Sequence, residues 1–274
     1  MSTLQSNAGS AWARVSGRVT WGHCVLATLT FVALVAPVIS PYDPNMQFTG
    51  MQLVPAGTPD HWLGTDELSR DILSRTIYGT RISMGVGVAS VLIGASIGIL
   101  SGIISATAHP IVGGFIMRVC DFLLAIPGVL LGIVVVSLMG AGISSVCIAI
   151  AIINLPDFAR LMRASTLREK NLDYVRAARA QGAGYRRILV RHLLPNALPT
   201  SLGQLPVSIG QAILLEAGLS FLGLGVQAPT ASWGAMLSKS RDYLALAPFY
   251  ALVPGILLFL FVLALNKVSD RTRT

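Results

Sequence analysis

Residues 82–117 contain no aspartate, glutamate, lysine or arginine, and a second charge-free interval runs from 122 to 156. Such intervals suit a hydrocarbon layer, because a helix crossing a bilayer needs about 20 predominantly apolar residues and satisfies its backbone hydrogen bonds internally. An ordinary soluble domain carries charge on about a quarter of its positions. Here charged residues make up 12% and hydrophobic ones 53% of 274 residues. The chain is therefore read as an all-α, polytopic membrane protein.

The first apolar interval, between Arg18 and Asp43, places an anchor helix at 21–40, closed by Pro41-Tyr42-Asp43-Pro44. A cleaved signal peptide is the competing reading, but the apolar run exceeds the about 7–15 residues of a signal core, which favours a retained anchor. Residues 41–81 are polar and end in 66-DELSRDILSRTIYGTR-81, where Leu68, Ile72, Thr76 and Ile77 recur near helical spacing. Thr65 or Asp66 is placed to cap that helix, which is expected outside the bilayer. The interval 82–117 holds one span at 82–106 and a turn at His109-Pro110. The 35 residues of 122–156 are too many for one span, so Gly140-Ala141-Gly142 is read as a turn between helices at 114–138 and 143–162. Spans at 199–224 and 247–267 complete six. Gly85, Gly87, Gly94, Gly98 and Gly102 include small-residue spacings that let helix backbones approach closely, and are read as packing positions.

Orientation follows from the lysine and arginine bias. With six spans and both termini on one side, that side holds fifteen of the twenty basic residues, and it is expected to be cytoplasmic. The resulting division is a cytoplasmic tail at 1–20, the anchor, an extracytoplasmic segment at 41–81, a five-helix core at 82–267 and a cytoplasmic tail at 268–274. The formal charge of +8 thus reports topology. A nucleic-acid binder would need that charge on a soluble module with groove-reading elements. Cys24, Cys120 and Cys147 lie in or beside apolar runs and are read as small buried hydrophobes, and the four histidines are scattered without metal-binding spacing.

Within the core, a loop at 163–198 contains 173-DYVRAARAQGAGYRRILVRHLLPN-196. The pattern predicts one helix through Tyr174, Ala177, Ala178 and Gln181, a break at Gly182-Ala183-Gly184, and a second helix through Ile188, Leu189, Leu193 and Leu194 that stops at Pro195. Ala177, Ala178 and Gly182 make a low-relief surface that a partner protein can approach, flanked by arginines. Arginines facing anionic headgroups are the blander alternative, which accounts for the charge but not for the small-residue surface.

Ala177-Ala178-x3-Gly182 followed by Leu194-Pro195 resembles the EAA loop of permease subunits in ABC importers. The stretches 174-YVRAARAQGA-183, 191-RHLLPN-196, 35-VAPVISPYDPN-45, 62-WLGTDELSRDILSRTIYGTRIS-83, 118-RVCDFLLAIPGVLL-131 and 215-LEAGLSFLGLGVQAP-229 resemble the dipeptide, oligopeptide and nickel branch. Arg176 stands where the loop's namesake Glu is usual, and Ser69 where Gly is often seen before Arg70-Asp71. The resemblance implies a type I importer fold of the MetI-like kind. It also implies a second homologous permease subunit, two cytoplasmic ATP-binding subunits carrying ATP and Mg²⁺, and an extracytoplasmic solute-binding protein. Tyr174, Ala177, Ala178, Gly182 and Ala183 are then expected to dock on an ATPase subunit, with Arg176, Arg179, Arg191 and Pro195 flanking them. No G-x4-G-K-[ST] occurs, so ATP must be hydrolysed by a partner. Peptides are the first expected substrate, with nickel complexes second.

Two acids inside apolar sequence are candidates for the translocation path. Asp121 can pair with Arg118 at i−3, which makes a local ion pair the simpler role. Glu216 stands mid-span without a sequence-local partner, and is expected either to hydrogen-bond across a subunit interface or to line the pathway. The acids and Arg70 of 64-GTDELSRD-71 can contact a binding protein or close an outer gate, but capping and stapling a peripheral helix is favoured. A self-sufficient ion-coupled transporter would be expected to show a repeat between the halves, and none is evident. An intramembrane enzyme would need a metal cluster or a nucleophile–base set, and none is visible.

Overall fold

The computed structural model describes the backbone of residues 21–272 and side chains to residue 269. The expected tail at 1–20 lies outside the described residues, as does the end of the tail at 268–274. The described chain is helical: α1 Trp21–Ile39, α2 Ile72–Thr107, α3 Pro110–Ala125, α4 Gly128–Met139, α5 Ile143–Lys170, α6 Asp173–Ala180, α7 Tyr185–Leu202, α8 Leu205–Phe221, α9 Trp233–Ser240 and α10 Pro248–Thr272. Helices α1, α2, α5 and α10 are each long and apolar enough to cross a membrane, and two bent pairs, α3–α4 and α7–α8, bring the number of passes to as many as six.

The centre of the fold is α2 against α5. Glycines on α2 remove the side chains that would hold the two backbones apart: a Cβ on Gly94 would lie 2.5 Å from Ala151 O, one on Gly98 2.6 Å from Leu155 O, and one on Gly102 2.5 Å from Ala159 O. The pairing advances in step along both helices, so they run parallel. Lys170 Nζ, at the end of α5, donates to Ala106 O near the end of α2 (3.4 Å). Around this seam a core of Val86, Val91, Val136, Val146, Ile150, Phe158 and Leu219 joins α4 and α8 to it. A second cluster, Leu29, Ile213, Trp233, Phe261 and Leu265, ties in α1, α9 and α10.

Three features depart from the sequence expectation. First, α2 is continuous from Ile72, so the expected outer helix at 66–81 merges with the span. Its cap is Asp71, whose Oδ2 accepts from Ser74 N at 2.7 Å, rather than Thr65 or Asp66. At about 1.5 Å per residue its 36 residues extend well beyond a hydrocarbon layer of about 30 Å, which carries Arg75 and Arg81 out of it. Second, the expected helix at 114–138 is two helices that meet at 95°. Pro127 forces Ile126 into extended backbone (φ −92°, ψ 127°) and so breaks the helix. Third, the helix expected to stop at Pro195 continues to Leu202. A π turn at Leu189–Leu193 sends Leu194 N–H back five residues to Leu189 O, absorbing the extra residue just ahead of the proline ring. Asn196 Nδ2 then takes up His192 O at 2.7 Å.

The end of the bundle remote from α6 is closed by the segment before α2. There Asp66 is fully buried, accepts from the Leu68 and Arg70 amides at 2.9 Å and holds Arg70 Nε at 2.7 Å. His61 Nδ1 lies 3.0 Å from Asp71 Oδ1, and Arg75 Nη1 donates to Pro44 O at 2.9 Å. The 64–71 stretch therefore staples the outer segment to α2. Ser69 has φ +60°, a left-handed backbone that explains why glycine suits this position.

Candidate functional site

Helix α6 is eight residues long, too short to be stable alone, and three things hold it. Val175 on its inner face is fully buried against Ile188 and Leu193 of α7, with Ala183 and Leu189 packed alongside. Its C-terminus is closed by a Schellman pair: Gly182 N–H donates to Arg179 O (2.9 Å) and Ala183 N–H to Ala178 O (3.0 Å). Gly182 sits at φ +79°, the left-handed cap conformation that favours glycine. The third restraint is Tyr174, whose hydroxyl donates to Glu169 Oε2 of α5 (2.7 Å) and accepts from Asn196 Nδ2 of α7 (3.1 Å). Partial burial raises the Tyr174 phenol above its ordinary range, and its hydrogen bond to Glu169 adds to the rise. The phenol therefore keeps its proton, and the strut its donor, throughout neutral pH.

The outer face of this hairpin is open. Arg176, Ala177, Arg179, Gly182, Arg191 and Pro195 are exposed, while Ala178 and Ala183 are half-buried. A Cβ on Gly182 would meet nothing within 4 Å. Arg176 lies 3.6 Å from Asp173, a pair in which both side chains are mostly exposed and which contributes little to stability. The result is a flat strip of small residues bordered by arginines, mounted rigidly on two long helices. Such a strip allows a partner's backbone to approach closely and its acids to pair with the arginines. Tyr174, expected on this strip, is itself exposed, and its hydroxyl also ties α6 to α5 and α7. Glu169 and Asn196 were missed by the sequence reading, because nothing local marks a residue 5 or 22 positions away as the other end of a strut.

The two intramembrane acids lie apart from this hairpin. Asp121 pairs with Arg160 of α5, not with Arg118 on its own helix: the two helices pack here and bring a cation closer than the next turn does. The pair is about half exposed on the described chain, at 58% for Asp121 and 50% for Arg160. Glu216 is fully buried by its own chain. Its Oε1 accepts from Ser220 Oγ at 2.8 Å, and the hydroxyls of Ser83 and Ser232 border the same carboxyl group. Among the described residues no group of three or more metal-ligating side chains converges.

Comparison with known proteins gives a consistent match. A family model described as binding-protein-dependent transport system inner membrane component matches residues 98–272. The chain is 41% identical to a glutathione transport system permease protein, GsiD, of Pectobacterium atrosepticum, over 96% of this chain and 89% of that one. It is 42% identical to the di/tripeptide transport system permease protein DppC of Pseudomonas aeruginosa, over 92% and 85%. Among solved structures, an inward-facing MetNI methionine ABC transporter superposes with TM-score 0.61 at 18% identity, covering 74% of this chain and 96% of that one. An amino acid ABC transporter superposes with TM-score 0.58 at 15% identity, covering 72% and 91%. These two likenesses establish the fold.

Proposed function

Because this chain belongs to the family of binding-protein-dependent transport system inner membrane components, we propose that it is the transmembrane permease subunit of an ATP-driven importer of di- and oligopeptides. The relatives named for glutathione, itself a tripeptide, and for di/tripeptides support peptides and do not favour nickel complexes. The observation that carries the mechanism is the α6 strip: small, exposed, capped by Gly182 and braced to α5 and α7 through Tyr174. In this reading α6 is the coupling helix, seated in a groove of a cytoplasmic ATP-binding subunit that carries ATP and Mg²⁺. A second permease subunit supplies the other half of the pathway, and an extracytoplasmic binding protein delivers the solute. Closure of the ATPase pair moves α6. The brace passes that motion to α5 and α7, so the bundle rocks between inward and outward openings. Both termini and the α6 end face the cytoplasm of a bacterial inner membrane, in keeping with the lysine and arginine bias.

Ala177→Glu tests this. Ala177 is exposed and outside the hairpin's small core, so the variant is expected to insert and to keep its melting temperature. Its recovery of ATPase subunits on co-purification is expected to fall by at least tenfold, with loss of peptide uptake in proteoliposomes. Normal recovery and uptake would refute the docking role.

A further inference from the structure

Helix α5 is enclosed around most of its circumference, but one ridge of it is open. Asp157, Arg160, Ala164 and Leu167 are exposed on the described chain and recur at the three- and four-residue spacing of one helix face. Met117 and Asp121 of α3 stand beside the part of this ridge nearer α6, where they border an open recess of about 320 Å³. Two of the ridge residues are charged, and so is Asp121.

The depth of the ridge follows from the turn between α4 and α5. The turn at Gly140–Gly142 leaves backbone groups outside any helix, and such a turn does not stand in hydrocarbon. Asp157 follows Gly142 by 15 residues, about 22 Å along the helix at about 1.5 Å per residue. The hydrocarbon layer is about 30 Å thick, so Asp157 lies within it and Arg160 lies near its edge on the α6 side. A modest tilt of α5 brings both nearer the middle.

The cations around Asp157 are engaged elsewhere. Arg160 is taken by Asp121. Arg163, the next cation along α5, donates to Ser105 Oγ (2.9 Å) and Gly113 O (3.2 Å). Asp157 has Arg160 as its charged neighbour but makes no hydrogen bond or ion pair among the described residues. An acid at membrane depth faces a cavity or a partner rather than lipid. A dry contact with another subunit would bury an unpaired carboxylate or demand a cation in register with it. Water satisfies the carboxylate without either, and does the same for the half-exposed Asp121–Arg160 pair.

We infer that this ridge of α5, with Asp121 of α3, faces the water-filled translocation path, Asp157 within the membrane and Arg160 and Ala164 toward the mouth on the α6 side. The assignment rests on the permease reading and adds named positions on the route, independent of the solute carried.

The test uses the full complex. In lipid nanodiscs, Asp157→Cys and Ala164→Cys are treated with a charged methanethiosulfonate reagent, which reacts with thiols that meet water. The unsubstituted chain, with Cys24, Cys120 and Cys147, sets the background. Phe259→Cys, at an exposed apolar position of α10, is the dry control. Both ridge thiols are expected to react at least tenfold faster than the control. Their rates are expected to differ several-fold between nucleotide-free and vanadate-trapped complexes, because the path opens to one side at a time. In proteoliposomes, modified Ala164→Cys is expected to lose at least tenfold in uptake while its ATPase subunits stay bound. Ala164 is small and exposed, so its variant carries the test alone if Asp157→Cys does not assemble. Ridge thiols no faster than the control, or equal rates in the two states, overturn the assignment. Unreactive ridge thiols together with loss of the second permease from Asp157→Asn complexes would make the ridge a dry subunit contact, which also overturns it. Wild-type uptake is measured in parallel: normal uptake with unreactive ridge thiols sinks the ridge alone, whereas absent uptake with reactive thiols sinks the import reading and leaves the ridge facing water.

Discussion

Gly182 combines two properties that substitution can separate. Its φ of +79° penalises a β-branched residue by about 1–2 kcal/mol, while its missing side chain leaves the strip flat. Asparagine and aspartate both tolerate left-handed backbone, so they differ here mainly in charge. Gly182→Asn is expected to preserve hairpin stability and to weaken ATPase recovery modestly. Gly182→Asp should keep the fold and lose recovery strongly, since it sets an acid against the acids expected to meet the flanking arginines. Gly182→Val is expected to loosen α6 itself, read as faster proteolysis between residues 180 and 184. If Asp and Asn behave alike in co-purification, charge at this position does not matter and the electrostatic part of the docking account fails. Ser69 gives the complementary lesson. The resemblance marked it as a non-glycine at a glycine position, and its φ of +60° shows what the position asks for.

Among the elements, α2 and α5 set the architecture because glycines let their backbones touch. A side chain at Gly98 would meet Leu155 O at 2.6 Å and Phe158 Cβ at 2.7 Å, whereas one at Gly85 would meet nothing within 4 Å. Gly98→Leu must push the helices apart, at the upper end of the about 1–3 kcal/mol typical of overpacking or beyond it. Gly85→Leu should be nearly neutral. Thermal melting in detergent with a tryptophan readout distinguishes them, and equal melting temperatures would argue against close α2–α5 packing. That the chain crosses the membrane several times was legible in the sequence because charge is excluded from the membrane, and the Gly140–Gly142 turn because glycine punctuates an apolar run. The bend at Pro127 was not, because composition is blind to direction: 122-FLLAIPGVLL-131 is as apolar when folded through 95° as when straight. The run past Pro195 failed for another reason. A π turn costs one extra residue, and no local signal announces it. Of the candidate site, Gly182 and the alanine surface were visible in sequence, whereas the Val175–Ile188–Leu193 core and the Tyr174 strut exist only once α5, α6 and α7 are brought together.

On the scale of the whole molecule, under the coupling role proposed for α6, force delivered to α6 by the ATPase subunits reaches the membrane only through what joins α6 to the long helices. Backbone continuity through Asn171-Leu172 and Gly182–Gly184 is a pair of turns, and turns absorb displacement. The Tyr174 hydroxyl, held between Glu169 and Asn196, stiffens both at once. Tyr174→Phe removes that hydroxyl and keeps the ring. It leaves the buried Glu169 oxygen without its donor, a loss of about 1–3 kcal/mol that a folded complex of this size should survive. The expected phenotype is slippage: ATPase subunits still co-purify, hydrolysis is still stimulated by loaded binding protein, and the ratio of peptide transported to ATP hydrolysed falls several-fold. Glu169→Gln provides the control, since an amide oxygen still accepts from the phenol, and its ratio should stay near the wild-type value. Measuring both rates in the same proteoliposomes separates coupling from docking. An unchanged ratio in Tyr174→Phe would mean that motion passes through the Val175 core alone, and that the strut serves assembly rather than transmission.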